Sequence, residues 1–521
     1  MQFIEGKDRT QIVLYSETLN QIVERDNEVR LIDAFVESIH IAGFDFKIKQ
    51  TFEGRPAYHP KDLLKLFVYG YLNRIRSSRQ LERECRRNIE VMWLLKELVP
   101  DHNTIANFRK DNADAIKKVF RHTVSIAKHF DLIGSKLIAG DSTRMRAQNS
   151  KKNNFNPKKL GKHLDYIDGR LAEYTNALAE ADEDKKEHIQ KQIAKQRKQK
   201  VKYEAMQQQL KETGDTQIST SDPESRLMIV RNNITEVAYN VQTTVDDKHK
   251  LPIDFKVTNV NDSKAMGSMV QRAKSILRTN NFTALYDKGY WTGSELRTAQ
   301  QLGVTTLVAV PAPASNAPDT RYNVASFRYD KTDDCYICPQ GNSLTSTGTV
   351  YTKGRNRPSP FVFRQYRNAK ACKRCPVKSL CTINKSGRII ERNVFTPFYE
   401  QNQRNIEANP QLYNKRQAIV EHPYGTIKRQ WSFCHVLTKK GIHRASADVG
   451  LMFIAYNLRR ISNIIEKNVL MQYLGVLALL FSWILTAAKR FSSKMRDQFF
   501  VADFSVCFSE PLLYRFKFAY I

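Results

Sequence analysis

Apolar positions along the chain change period twice. In the first 130 residues they recur at helical spacing. In HPKDLLKLFVYGYL (59–72), Leu63, Leu64, Phe67 and Tyr71 share one face, which predicts a helix. SSRQLERECRR (77–87) and a short apolar helix around Val91–Leu98 follow. Another helix opens after Pro100, with Asn103 or Thr104 as its cap. Between 158 and 212 the step alternates three and four through Leu164, Ile167, Leu171, Tyr174, Leu178 and Ala181, the seam of a coiled coil. Beyond the polar EADEDKK turn, Ile189, Ile193, Tyr203, Met206 and Leu210 continue it more loosely, so a helical hairpin is expected. From about residue 225 the period drops to two. EVAYNVQTTV (236–245) and LPIDFKVTN (251–259) predict a β-hairpin across DDKHK. SKAMGSMVQRAKSIL (263–277) reads as a helix capped by Asp262, ALYDKGYW (284–291) as a strand ending in Asp287, Ser294–Leu302 as a helix and TTLVAVP (305–311) as a strand. Earlier, SKLIAGDST (135–143) reads as a strand ending in Asp141. With the coiled region set aside, the expected core is a mixed α/β sheet with acids at strand ends.

Composition narrows the class. A length of 521 residues suggests three or four structural units. Hydrophobic residues at 41% and aromatics at 10% suffice for a core, and eight cysteines in so long a chain exclude a secreted disulfide scaffold. Lysine and arginine total 83 against 53 acids, a formal charge of +30, which calls for a polyanionic partner. The positive charge has addresses. Arg74, Arg76, Arg79, Arg83, Arg86 and Arg87 lie in a region resembling a helix-turn-helix unit, an ordinary bundle with a solvated basic face being the alternative. IQKQIAKQRKQKVK (189–202), including Lys198 and Lys200, is a candidate DNA-tracking surface or simply a solvated face. The start, MQFIEGKDRTQIVLY, has no signal-peptide pattern, so a cytoplasmic, nucleoid-associated protein is expected. The apolar run Val469 to Ala488 has transmembrane length; a buried or self-associating helix is the favoured reading and a membrane span the other.

Aspartates at the ends of apolar strands suit hard divalent cations, which choose oxygen ligands. Two such ions roughly 3.5–4 Å apart can activate a nucleophile and stabilise the leaving oxygen of a phosphodiester displacement, given a third acid. As turn residues or caps, the same aspartates would have no such role.

Here the sequence resembles a known family. GDST at Asp141, DKGYW at Asp287 and Tyr413-x2-Arg416-x4-Glu421-x6-Lys428 look like the DDE transposases of bacterial insertion sequences, in the branch with a Tyr-Arg-Glu-Lys signature. VEHPYGTIKR (420–429), AYNLRRI (455–461) and DPESRLM (222–228) strengthen the likeness, which runs from about 55 to 465. It implies a ribonuclease H-like catalytic core in which Asp141, Asp287 and Glu421 hold two Mg²⁺ ions, with Mn²⁺ as a substitute. It implies further that Arg416 and Lys428 contact DNA phosphates, supported by Tyr413. Trp291 could stack on a displaced base, although core packing is the favoured reading of Tyr290 and Trp291. Two departures stand out. Four residues separate Arg416 from Glu421 where the signature often has three, and Pro423 must bend or start a helix just after the acid.

Five cysteines fall in one window: Cys335-x2-Cys338, then Cys372-x2-Cys375-x5-Cys381. Paired knuckles of this spacing predict a structural Zn²⁺ site using four of the five, with an iron–sulfur cluster or reduced core thiols as alternatives. The basic run KGRNRPSPFVFRQYRNAKACKR (353–374) suggests DNA contact by the same insert. The expected organisation is thus mixed α+β. A helical DNA-binding or dimerisation domain (1–130) precedes the first part of the core (131–314), which carries the hairpin 158–212. A Cys-rich insertion (315–400), the second part of the core (401–466) and an apolar tail (467–521) complete it. The expected partners are double-stranded DNA, as terminal inverted repeats and target, and further copies of the chain in a homodimer or larger synaptic complex. Neither a small-molecule substrate nor a membrane is expected. A catalytically silent DNA-binding descendant and a nuclease without strand transfer are the rival readings.

Overall fold

A computed structural model describes residues 18–47, 56–231, 234–312, 317–354, 361–438 and 440–480. The chain begins with helices: α1 (Glu28–Glu37), α2 (Pro60–Leu72), α3 (Ser78–Arg87), α4 (Ile89–Leu95), α5 (His102–Asp111) and α6 (Ala113–His129). Helix α2 is apolar nearly all round and is buried along its whole length, as that composition requires. Helix α5 is capped by Asp101, whose carboxylate accepts from the N–H groups of Asn103 and Thr104, rather than by either of those residues.

Strand β1 (Leu137–Arg146) is followed by a long hairpin of α7 (Pro157–Glu180) and α8 (Glu183–Thr213). Phe155, Leu160, Met206 and Leu210 form a small core at its base. Farther out the predicted seam is only half-buried at Leu171, Tyr174 and Leu178. Next come β2 (Arg226–Arg231), β3 (Ile234–Asp246), β4 (Pro252–Thr258), α9 (Met266–Leu277), β5 (Thr283–Tyr286), α10 (Gly293–Gln301) and β6 (Thr305–Val308). Strands β1 to β6 make one sheet. β3 pairs antiparallel with β1 on one side and with β2 and β4 on the other, while β1, β5 and β6 run parallel.

The Cys-rich region folds as its own five-stranded antiparallel sheet: β7 (Arg328–Asp330), β8 (Cys335–Ile337), β9 (Ser343–Lys353), β10 (Phe361–Arg367) and β11 (Ile389–Asn393), with short helices α11 (Ala369–Lys373) and α12 (Lys378–Cys381) before the last strand. Phe327, Tyr336, Leu344, Tyr366 and Ile390 are its core. Residues 355–360 of the basic run lie outside the described residues. The chain then returns through α13 (Thr396–Ala408), α14 (Pro410–Tyr424), a π-helical turn (Gly425–Gln430) and α15 (Ile442–Ser462).

One apolar core extends from the N-terminal helices (Phe67, Ile116, Phe120) through the sheet (Ile253, Phe255) to α15 (Leu451, Phe453). Helix α15 is tied at both levels. The carboxylates of Asp222 and Glu224, in the DPESRLM segment, accept from the N–H groups of Gly441 and Ile442 at its start. Inside the core, Asp448 of α15 receives Arg76 (2.6 Å), the hydroxyl of Tyr71 and the Leu437 N–H, with Arg109 at 3.6 Å. Arg76 is therefore buried, not a phosphate contact as its neighbours in sequence suggested.

A further helix spans 467–480, with Leu470 and Leu474 buried and Tyr473 stacked on His129. Among the described residues no helix is long and apolar enough to cross a membrane; residues 481–488 of the apolar run lie outside them.

Candidate active site

Strand β1 continues to Arg146, so Asp141 is mid-strand rather than at its end. What ends near Asp141 is its parallel neighbour. β1 pairs with β5 as Leu137 with Thr283 and Ala139 with Leu285. Continuing that register sets Asp287, just past the end of β5, level with Asp141. Because side chains alternate, both acids follow Leu137, Ala139 and Leu285 onto the sheet face covered by Ile419 and Val420 of α14. Adjacent strands are about 4.8 Å apart, so the two carboxylates share one small region.

The local chemistry is uneven. Asp141 keeps a quarter of its side-chain surface open and ion-pairs with Arg416 at 3.3 Å. Burial nevertheless pushes its carboxyl up to about 6, with Asp287 and Asp262 adding to the rise while the Ser142 N–H and Arg416 oppose it. Asp287 accepts from the Gly289 N–H at 2.8 Å. Tyr413 donates to the carbonyl of Tyr286, immediately before Asp287, and Lys428 donates to Thr143 Oγ1 at 2.9 Å, two residues beyond Asp141 on the same face. Asp141, Asp287, Tyr413, Arg416 and Lys428 are thus gathered.

Glu421 is not gathered with them. It is exposed and accepts from Gln417 within its own helix at 2.8 Å. The reason is helical phase. Each residue turns an α-helix by about 100°, so a residue four after Arg416 shares its face and a residue five after does not. Val420 takes the fourth place and is buried under the sheet; Glu421 takes the fifth. Pro423 continues α14, and the π-turn beginning at Gly425 follows it. Among the described residues no three His, Cys, Asp or Glu side chains form a group ready to hold a metal ion.

The other expected contacts are scattered. Trp291 stacks on Tyr399, ring centroids 4.9 Å apart. Arg79, Arg83 and Lys198 are exposed on their helices, while Lys200 pairs with Asp168 across the hairpin at 2.6 Å. Of the cysteines, Cys338, Cys372, Cys375 and Cys381 line one cavity that Cys335 does not reach.

Tyr424, Arg144 and Asp262 also lie near the site, and of these the sequence singled out only Asp262, as a helix cap. Tyr424 donates to Thr243 Oγ1 (2.8 Å) and to the Asp141 carbonyl (3.2 Å). On the opposite face, Asp262 does not cap α9. Its carboxylate accepts from Arg144 (2.9 Å), Asn240 (2.8 Å) and Gln242 (2.6 Å), and Arg144 in turn donates to Ser142, next to Asp141.

Residues 17–111 match a family model described as a transposase domain (DUF772), and residues 337–462 match one described as a transposase DDE domain. The two matches support a DDE transposase of insertion-sequence type. The second match takes in Glu421 and four of the five clustered cysteines, while Asp141 and Asp287 lie before it. No curated protein matches the sequence. A solved structure of the piggyBac transposase synaptic complex with hairpin DNA aligns over 91% of this chain and 82% of its own at 11% identity, with a TM-score of 0.26, too low to carry an argument about the fold.

Proposed function

We propose that this transposase cuts DNA at the ends of its element and joins them to target DNA. The observation that carries the reading is the alignment of Asp141 with Asp287 on one sheet face beneath Arg416 and Lys428. The strand order, with three antiparallel strands followed by two parallel ones, supports a ribonuclease H-like core.

The donor set fits a hard divalent cation in part. Asp141 and Asp287 offer adjacent carboxylate oxygens of the kind Mg²⁺ or Mn²⁺ takes, and Glu421 would complete the set only after a turn of its helix. When bound, such ions supply an activated nucleophile and neutralise charge on the leaving oxygen. Arg416 holds one Asp141 oxygen and presents the rest of its guanidinium to a phosphate. Lys428 offers a point charge beside it, and Tyr413 braces the end of β5. The exposed Arg79, Arg83 and Lys198 would extend the phosphate contacts to a duplex, including the element's inverted repeats, within a dimer or larger complex at the nucleoid.

Asp141→Asn tests the reading. End-labelled element DNA incubated with Mg²⁺ should be nicked and joined by the parent and left uncut by the variant, with end binding retained. Cleavage by the variant at the parental rate would remove Asp141 from the chemistry. A second reading rests on the outward Glu421: a catalytically silent DNA-binding descendant, which would bind ends and yield no product with either Mg²⁺ or Mn²⁺. Cut ends that never join would mark a plain nuclease.

A further inference from the structure

The five clustered cysteines are all free thiols, and they stand in two different surroundings. Cys338, Cys372, Cys375 and Cys381 line a single cavity of about 30 Å³, too small for an organic ligand and ample for one ion. Cys381 lies within electrostatic reach of the other three. Cys335 is paired with Thr345 and Asp330 inside the sheet, and its charged neighbours are Asp330, Asp333, Asp334 and Arg328.

The backbone around the cavity is shaped for close approach. Cys338 opens a tight turn in which the Gly341 N–H returns to its carbonyl at 2.9 Å, with Gly341 at φ +76°. The Cys375 N–H returns to the Cys372 carbonyl, and the Lys378 N–H to that of Cys375. Gly387, at φ +96°, lies against Cys372, where an added Cβ would stand 2.5 Å from the cysteine Cβ and 3.0 Å from its sulfur. Only glycine allows the loop to pass there. Arg388, next in the chain, lines the cavity and donates to the Cys381 carbonyl, while its buried Nε has no acceptor.

We infer that Cys338, Cys372, Cys375 and Cys381 bind one structural Zn²⁺ ion and that Cys335 takes no part. The ion joins the β8–β9 turn to helices α11 and α12, segments held together otherwise by a small apolar core. As they stand, the thiols surround the cavity without forming a ready ligand group. Binding draws both knuckles and the Gly387 loop inward to sulfur–zinc distances of about 2.3 Å, and the four thiol protons pass to solvent. Four thiolates on Zn²⁺ leave a centre of net charge −2, half of which the Arg388 guanidinium at the cavity wall offsets. The inference is independent of the transposase reading.

The test is the metal content of the full-length protein, purified under reducing conditions and measured by mass spectrometry of the elements. Parent and C335S should each carry about one zinc per chain, and C372S and C381S should lose it. Cobalt substitution guards against simple misfolding: parent and C335S should show the same tetrahedral four-sulfur spectrum, and C338S a changed one. A parent that neither carries nor takes up zinc overturns the assignment. So does iron with labile sulfide in its place, or a C335S that loses the ion while C338S keeps it.

Discussion

Asp448→Ala removes the acceptor on which the N-terminal helices and α15 converge. Asp448 is fully buried, and its partners Arg76 and Arg109 are each only 6% exposed. The variant leaves two guanidinium groups facing an apolar cavity and strips the Leu437 N–H and the Tyr71 hydroxyl of their acceptor. Breaking a buried pair from one side costs about 3–5 kcal/mol, because the remaining charge stays buried without compensation. Asp448→Asn keeps the volume and one acceptor oxygen and should fall between variant and parent. The assay is urea unfolding followed by tryptophan fluorescence, read as the shift in midpoint at constant slope. The pH dependence has a definite sign. Burial opposes the Asp448 charge, but Arg76 and Arg109 outweigh it and hold the carboxyl below its usual range. The stabilisation is therefore fully present above the unfolded carboxyl value of about 4 and lost as pH falls through the folded value. A loss under about 1 kcal/mol for Asp448→Ala would refute the reading that this cluster joins the N-terminal helices to α15.

Arg416→Ala and Lys428→Ala should each weaken binding of element-end DNA and lower the slope of log affinity against log salt by about one, measured by fluorescence anisotropy. Gly140→Ala should destabilise the sheet by about 1–3 kcal/mol or more, since the new Cβ would lie 2.0 Å from the buried Tyr286 ring; denaturant titration reads it. Deleting Gln417 restores three residues between Arg416 and the glutamate and turns that acid toward Asp141. Calorimetric titration should then show tighter Mn²⁺ binding than in the parent, and an unchanged affinity would argue against the phase explanation.

The elements whose apolar period is local were legible from sequence. The hairpin expected at 236–245 and 251–259 is Ile234–Asp246 with Pro252–Thr258, although its first strand proves to be buried on both faces from Val237 to Asp246. Features decided by distant partners were not. The strand around Asp141 looked finished there because STRMR is polar, yet those side chains are held by Lys428, Asp262 and Glu236 from elsewhere in the chain. Asp262 resembled a cap, and its carboxylate went to three donors on β1 and β3. Arg76 looked like its exposed neighbours Arg79 and Arg83 until Asp448 was placed beside it. At the site, Asp141, Asp287, Arg416 and Lys428 could be picked from the motif, but the direction of Glu421 depends on a count of residues along one helix.

The π-turn at Gly425–Gln430 gives that count a larger meaning. A wide turn absorbs a surplus residue, and this one begins after Glu421 and carries Lys428, the last residue of the signature, within it. The surplus introduced between Arg416 and Glu421 is thus cancelled by the time the chain reaches Lys428, which returns to β1. Both cations keep their alignment with the sheet, and the acid alone carries the error. On the proposed reading, phosphate contact and metal binding would thereby depend on different parts of α14 and the turn that follows it. Point substitutions that preserve side-chain character will leave that division intact, whereas the gain or loss of one residue ahead of the wide turn will move it.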